Sequence, residues 1–292
     1  MSHFSVLVIG PNIEDQLQPY HEFECTGIND QYIQDVDITA KVLEYLNETP
    51  EDGEPPRTLN DALEYHGLED RCVHDKSEID REGEHKFGYA IISNKSELVK
   101  AVDRTNPNAK WDWWVEGGRY SNRLTLKDGV KVNSAIKGDV DFESRKSEME
   151  QRAAKEYDAV QAAIAGTPEN EPWSAVRDRL GVEAAREEYK KQPRVVALSA
   201  FGWTPEGREI MSWDASPEDY AVPREQFLQA ARDRAIATFA VVKDGKWFER
   251  GEMGWFACVS NEKDEVTWNR EFSALVDGLP DDTLLTIVDC HI

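Results

Sequence analysis

Apolar, β-branched runs occupy both ends of this chain, and this feature constrains the fold more than any other. Residues 5–10 read Ser-Val-Leu-Val-Ile-Gly, almost at the initiator Met, and residues 283–292 read Thr-Leu-Leu-Thr-Ile-Val-Asp-Cys-His-Ile. Such runs are typical of buried strands. Because a chain with both ends in strands has no disordered tail, we expect both ends to share one sheet, with the other segments inserted between them.

The composition predicts a folded and strongly acidic protein. The chain has 292 residues, with 57 Asp and Glu against 34 Lys and Arg, and its formal net charge is −23. Its aromatic residues supply ample material for a core. The negative charge disfavours direct contact with nucleic acid or an anionic membrane, because phosphate groups attract Lys and Arg. A basic partner surface fits this charge better.

Targeting signals and cysteine chemistry give simple expectations. No apolar run approaches about 18 residues, and no charged-then-apolar leader precedes the first strand. We therefore expect no membrane span, no secretory signal and a cytoplasmic location. Cys25, Cys72, Cys258 and Cys290 lie far apart, without the spacing of a zinc site or the density of a disulfide scaffold. We expect reduced, mostly buried thiols.

Changes of pattern divide the chain into segments that predict an α+β fold, with a mostly antiparallel sheet formed by the terminal and C-terminal strands. The segments are a first strand and loop of the core (1–29), an acidic, partly helical excursion (30–84), strands with a Trp-rich segment (85–140), an inserted helical hairpin arm (141–192) and the C-terminal α+β part of the core (193–292). Roughly half of the net charge lies in the acidic excursion.

Hydrophobic periodicity and turn residues predict the individual elements. The expected helices are 39–47, 59–68, 96–102, 223–235 and 267–279, and the expected strands are 87–92, 123–127, 195–201, 237–242, 247–249 and 255–259. Residues 11–25 are expected to form a loop. The Asp244-Gly245 pair predicts a tight hairpin turn between two of the strands.

The densest aromatic and charged cluster is at 111–120, with the sequence Trp-Asp-Trp-Trp-Val-Glu-Gly-Gly-Arg-Tyr. One interpretation is a binding cleft, in which aromatic rings supply rigid area and Arg or Asp orients a ligand. The other is a strand and turn, in which alternating Trp residues face the core and two glycines permit a bend. The Gly-Gly-Arg triplet lacks the spacing of a phosphate-binding loop.

No spacing in the sequence is typical of a catalytic or metal site. The six histidines are scattered and show no HExxH or HxH pattern. The carboxylates and the arginine of 249–255 fit a salt-bridged connection better than an acid–base pair. We therefore expect no enzyme, no metal and no cofactor.

The acidic excursion has two interpretations. It is either a solvated surface that keeps the protein in solution, or a surface complementary to a basic, nucleic-acid-binding partner whose approach it steers. The candidate partner-binding residues are Glu44, Glu48, Glu51, Asp52, Trp111, Trp113 and Arg119.

Residues 1–10 with 16–22, residues 108–113 with 117–119, and residues 246–292 resemble a family of tailed-phage and prophage proteins. In size and in its lack of catalytic motifs the chain also resembles the Gabija anti-defence proteins, phage inhibitors that assemble around a host nuclease complex. This resemblance implies a non-enzymatic binder that forms homo-oligomers in the cytoplasm of an infected bacterium.

The resulting hypothesis is a phage-encoded inhibitor of a bacterial anti-phage defence complex. It would block nucleic-acid binding or cleavage by stoichiometric protein–protein contact, without touching nucleic acid or membrane itself. One alternative is a small-molecule or nucleotide-handling enzyme with a cleft at 111–120. The other is a phage accessory or structural protein.

Overall fold

The structure is a computed structural model that describes residues 2–23, 30–49, 55–254 and 258–292. The chain divides into two compact units. Unit 1 comprises Met1–Tyr120, Ala240–Asn261 and Val288–Ile292, and unit 2 comprises Ser121–Phe239 and Glu262–Ile287. Helices and strands are mixed, and most strand pairs are antiparallel, which confirms the predicted α+β class.

Strands are concentrated in residues 72–136 and 240–260. The strands are β1 (His3–Ile9), β2 (Gln34–Asp37), β3 (Cys72–Val73), β4 (Gly88–Ile92), β5 (Leu98–Thr105), β6 (Trp113–Glu116), β7 (Leu124–Thr125), β8 (Lys131–Val132), β9 (Ser134–Ile136), β10 (Ala240–Lys243), β11 (Lys246–Glu249), β12 (Glu252–Met253), β13 (Val259–Ser260) and β14 (Leu284–His291). The helices are α1 (Ile13–Leu17), α2 (Thr39–Asn47), α3 (Leu59–Tyr65), α4 (Phe142–Ala163), α5 (Trp173–Leu180), α6 (Val182–Tyr189), α7 (Pro193–Gly202), α8 (Pro205–Ile210), α9 (Arg224–Asp233) and α10 (Glu265–Asp277). Within the described residues 55–254, helices α4 to α9 follow one another without an intervening strand.

The main sheet of unit 1 joins the two ends of the chain, as predicted. Its strand order is β11-β10-β1-β14-β6. Strand β10 runs parallel to β1, while β11 and β6 are antiparallel to their partners. Ser2 and Ile292 exchange backbone hydrogen bonds of 3.0 and 3.1 Å, the reciprocal pattern of an antiparallel pair. The apolar side chains of β1 are buried, which explains the near-continuous apolar run in its sequence.

Strand β14 contributes to both units. In unit 1 its residues 288–291 pair with β6, and in unit 2 its residues 284–286 pair with β9. Every position after Leu284 is buried. A strand that is buried along its length and paired on its edges has little freedom to shift register, so the side chains it carries have fixed positions.

The described residues of the acidic excursion form a folded layer of unit 1 together with β4 and β5. A sheet of order β2-β5-β4-β3 carries helices α2 and α3 on one face, with a core that includes Val42, Leu63 and Ala101. Helix α3 begins with a reciprocal capping box between Thr58 and Asp61. The hydrogen bonds from Thr58 hold the pKa of the Asp61 carboxyl below its usual value. Carboxylates therefore serve the folding of this layer as well as its charge.

The predicted helix at 96–102 is wrong, because these residues lead into strand β5. The Ser93 hydroxyl accepts hydrogen bonds from the backbone N–H groups of Lys95 and Glu97, and Ser96 has φ +60°, so the chain turns here. Strand β5 then pairs with β4 on one side and β2 on the other. Pairing on both edges outweighs the local helical spacing.

Unit 2 is mainly helical around α4. The segment 141–192 contains α4, α5 and α6, with a break between Ala163 and Trp173 as the sequence predicts; the second predicted helix is divided at Gly181, which has φ +75°. Helix α4 shares one core with α7 and Tyr220, and a second with α9 through Ala153 and Ala231. Among the helices in the described ranges, none combines the length and apolar character needed to cross a membrane.

The predicted strand at 195–201 is also wrong, because these residues form helix α7. Pro193 occupies the first turn of this helix, where its fixed φ and missing N–H are tolerated. Leu198 then packs against Val160 and Ile164 of the α4 segment. The β-branched pair at 195 and 196 suggested a strand, but helix packing decides the conformation.

Other predictions were right in kind but differed in extent. The hairpin of β10 and β11 forms, with Asp244 at φ +52° and Gly245 at φ +68° in its turn. Residues 11–25 contain α1 and are not simply a loop, and the strand expected at 123–127 shrinks to β7. Residues 255–257 of another predicted strand lie outside the described residues, which resume before β13.

We predict that Tyr220→Phe destabilises unit 2. The Tyr220 hydroxyl donates a hydrogen bond of 2.7 Å to Glu156 Oε1, and burial together with this carboxylate raises the pKa of the phenol well above its usual value. Loss of the bond should lower the free energy of unfolding at pH 7 by about 1 kcal/mol. Because the folded state holds the proton more tightly, this stabilisation is complete below about pH 10 and is lost as pH rises further.

Urea unfolding of the wild type and the variant at pH 7 and above pH 10 measures both effects. Tyr65→Phe, at an exposed tyrosine, is the control. Equal unfolding midpoints for Tyr220→Phe and the wild type at pH 7 would contradict the prediction.

Candidate active site

Two histidines from opposite ends of the chain meet on the main sheet of unit 1. Pairing of Ser2 with Ile292 makes His3 and His291 neighbours, and their ring centroids lie 5.0 Å apart in an edge-on arrangement. The sequence analysis treated the histidines as scattered and unable to form a site. The spacing of the histidines in the sequence gives no sign of this pair, because residues distant in sequence lie side by side on adjacent strands.

A carboxylate holds each imidazole at Nδ1. Nδ1 of His3 lies 3.0 Å from Asp289 Oδ1, and Nδ1 of His291 lies 2.7 and 2.9 Å from the two oxygens of Asp112. A carboxylate accepts a hydrogen bond, so each Nδ1 carries the proton and each Nε2 carries the lone pair of the neutral ring. Histidines that work in proton transfer or bind metals are oriented in this way.

The Gly-Gly turn of the Trp-rich segment supports Asp289. The backbone N–H of Arg119 donates a hydrogen bond of 2.9 Å to Asp289 Oδ2. Gly118 has φ +49°, and a Cβ added there would lie 2.5 Å from the same oxygen. The segment therefore needs glycine at 118 to approach the carboxylate, which is 1% exposed and satisfied on both oxygens.

Asp112 is fixed from several sides. Its Oδ1 accepts a hydrogen bond of 2.7 Å from the backbone N–H of Trp113, and its backbone carbonyl accepts one of 2.8 Å from His21 Nε2. The His21 ring stacks on Trp111 at 4.4 Å, and Trp111 Nε1 donates to the carbonyl of Leu17. Trp111 is thus a buried residue that supports the site from the core.

Trp113 covers the two imidazoles. It is the register partner of His291 in the β6–β14 ladder, and its ring stacks on that imidazole at 5.1 Å with an interplanar angle of 15°. It also meets the edge of His3 at 5.3 Å. Trp113 remains 43% exposed. The structure therefore brings two of the predicted binding residues, Trp113 and Arg119, to the histidine pair.

The Nε2 atom of His291 is buried and has no hydrogen-bond partner among the described residues. The residue as a whole is 5% exposed. An unpartnered buried polar atom costs about 1–3 kcal/mol, and such atoms concentrate where a ligand atom or a water completes the arrangement. The His3 side chain, at 11% exposure, reaches the surface.

Cys290 lies between the two site residues of β14, on the opposite face of the strand. Burial, with added effects from Asp289 and Asp112, raises the pKa of its thiol far above the usual value, so it stays protonated. Cys72 and Cys258 are exposed free thiols, so the expectation of mostly buried cysteines is wrong for the described part of the chain.

The remaining predicted residues lie elsewhere. Glu44 is exposed on α2, which packs against α3 and β5; Glu48 is exposed directly after the end of α2 and pairs with Arg57. Glu51 and Asp52 lie outside the described residues. Glu44 and Glu48 thus lie apart from the histidine pair within unit 1, because α2 packs on the β2-β5-β4-β3 sheet and the histidines lie on the main sheet.

Comparisons give no family to the chain. No family model, no curated protein and no solved structure matches it. In the described ranges, no group of three or more His, Cys, Asp or Glu side chains is arranged to hold a metal ion. The interpretation of the histidine pair therefore rests on its own geometry.

We predict that Gly118→Ala disrupts this centre. The added Cβ meets Asp289, and the left-handed conformation adds strain, so unfolding should become easier by about 2 kcal/mol. Gly67→Ala is the matched control, because Gly67 has φ +63° and nothing within 4 Å of the added atom. Thermal unfolding and the imidazole NMR signals of His3 report the outcome. A Gly118→Ala variant no less stable than Gly67→Ala would contradict the role assigned to Gly118.

Proposed function

We propose that unit 1 binds a small polar molecule at the His3–His291 pair and acts on it by proton transfer. The observation that carries this proposal is the presence of two carboxylate-held imidazoles, with ring centroids 5.0 Å apart. Trp113 and Arg119 border the pair, as expected of a site in which an aromatic surface and a cation place a ligand.

The two imidazoles support complementary steps. A neutral histidine accepts a proton at Nε2 from water or a hydroxyl group that attacks the substrate, and a protonated histidine donates its Nε2 proton to the departing oxygen. The proton lost by the nucleophile is thus balanced by the proton given to the leaving group. Asp289 and Asp112 keep each ring in the required tautomer and stabilise the imidazolium form. Hydrolysis or transfer of an ester is the reaction class that fits.

The support for the site comes from strands. His3, His291 and Trp113 lie on the adjacent strands β1, β14 and β6, and the pairing of these strands in one sheet sets their spacing. Side chains on paired, buried strands keep their positions more closely than side chains on loops. Such preorganisation is what proton transfer at two fixed points requires.

We predict that the protein hydrolyses activated esters in a histidine-dependent way. The probes are bis(p-nitrophenyl) phosphate and p-nitrophenyl acetate, followed by release of p-nitrophenol. His3→Asn and His291→Asn keep a donor near Nδ1 but remove Nε2. Each change should lower the rate by roughly 100-fold or more.

His74→Asn is the matched control, because His74 is an exposed histidine of unit 1 whose Nδ1 donates to the carbonyl of Ile92. Its rate should equal that of the wild type. Equal rates for the wild type and the His3→Asn/His291→Asn double variant would contradict proton transfer at this pair.

A second candidate function follows from the charge. Unit 1 carries 29 Asp and Glu against 14 Lys and Arg, and Glu44 on α2 and Glu48 at its C-terminal end are exposed to solvent. We propose that this surface could bind a basic, nucleic-acid-processing partner in the manner of a phage-encoded inhibitor of a Gabija-type defence complex. In this case the protein acts stoichiometrically, as an oligomer, in the cytoplasm of the infected bacterium.

For this second function we predict that the double variant Glu44→Lys/Glu48→Lys associates several-fold more slowly than the wild type with an isolated Gabija-type complex. Added salt should slow the association of the wild type as well, because it screens the steering charges. Loss of the Glu48 pair with Arg57 should change stability by less than about 1 kcal/mol. Glu183→Lys with Glu187→Lys, at two exposed sites of unit 2, makes the same change of net charge and is the control. Inhibition that does not saturate at a fixed molar ratio would exclude a stoichiometric inhibitor.

A further inference from the structure

The backbone of Arg119 is anchored beside the carboxylate that holds His3. The backbone nitrogen of Arg119 and Nδ1 of His3 bind the two oxygens of the same carboxylate, Asp289, so the Arg119 side chain begins next to His3. The residue is exposed, and within the described ranges no carboxylate forms an ion pair with its guanidinium. A guanidinium in this state is available to a ligand.

The hydrogen-bonding groups that remain free at the centre suit an anion. Both oxygens of Asp289 and both oxygens of Asp112 already accept hydrogen bonds. The remaining groups are the Arg119 guanidinium and the two imidazole Nε2 atoms, which are donors when protonated. Arginine pairs with phosphate through two parallel hydrogen bonds, a geometry that lysine cannot reproduce. The donor set therefore fits a phosphate group.

Trp113 adds a flat surface next to these donors. Its ring lies nearly parallel to His291, and 43% of the residue remains exposed. Every nucleobase has a flat face that stacks on such a ring, with little dependence on base identity. A free phosphate ion would leave this surface unused.

We propose that the ligand of this centre is a nucleotide, with Arg119 binding its phosphate group and Trp113 stacking on its base. This inference rests on the proposed proton-transfer function and names its substrate class. The phosphate ester bond then lies at the two imidazoles. The negative net charge of the chain does not oppose this assignment, because the two nearest carboxylates are already bound to donors.

Isothermal titration calorimetry with the full chain tests the proposal. The probes are the four 5′-ribonucleoside monophosphates titrated separately, then ribose 5-phosphate and adenosine. At least one nucleotide should bind. Arg119→Gln should weaken its binding at least tenfold, and Arg119→Lys should fall between Arg119→Gln and the wild type. Lys95→Gln, which removes an exposed charge elsewhere in unit 1, should bind as the wild type does.

Trp113→Ala tests the stacking contact. It should weaken nucleotide binding several-fold and leave ribose 5-phosphate binding unchanged, while thermal unfolding confirms that the exposed site tolerates the change. The proposal is overturned if none of the four nucleotides binds, if Arg119→Gln binds them as the wild type does, or if ribose 5-phosphate binds as tightly as the nucleotides.

The ester assay separates this inference from the proposed function. Histidine-dependent hydrolysis of p-nitrophenyl acetate without nucleotide binding would remove the nucleotide assignment and leave proton transfer intact. Arg119-dependent nucleotide binding in a protein with no histidine-dependent hydrolysis would support the nucleotide assignment and remove the catalytic role.

Discussion

Pairing of the first strand with the last is the constraint on which the arrangement of the His3–His291 pair depends. The backbone bonds between Ser2 and Ile292 place β1 beside β14, and His3 then reaches Asp289 across a sequence separation of 286 residues. Closing so long a loop costs entropy, which the burial of two apolar strands offsets. The apolar runs at the chain ends thus do more than fill a core, since they carry the polar residues of the site to each other.

Strand periodicity determines which side chains meet. Asp289 and His291 are two residues apart and share one face of β14, while Cys290 between them faces the other side and is buried. The register with β6 then sets Trp113 against His291. A shift of β14 by one residue would place the Cys290 thiol where the His291 imidazole lies. Burial of the neighbouring apolar residues opposes such a shift and therefore also keeps the site residues in register.

Local signals made much of the fold predictable, and non-local contacts account for the errors. The turn at Asp244 and the helix that ends at Asp277 follow from turn chemistry and periodicity over a few residues. Strand β5 and helix α7 do not, because pairing on two edges and packing against α4 decide their conformations. The site divides in the same way: Trp113 and Arg119 stand in one dense segment, whereas His3 and His291 become a pair only once the two ends share a sheet. The sequence did contain a signal for this pair. Asp289 and His291 are two residues apart, and so share one face of a strand that was expected to lie beside the strand of His3.

The two proposed functions make different physical demands, and each proposal assigns them to different residues. Protein binding by steering uses the summed field of many exposed carboxylates, and no single one of them is decisive. Proton transfer depends on a few side chains whose neighbours hold them in place, and Asp289 shows this by accepting bonds from both His3 and Arg119. The acidic layer around α2 has its own sheet and its own core. Its surface charge can therefore vary without moving the imidazoles, so one unit can carry a tolerant acidic surface and a precise polar centre together.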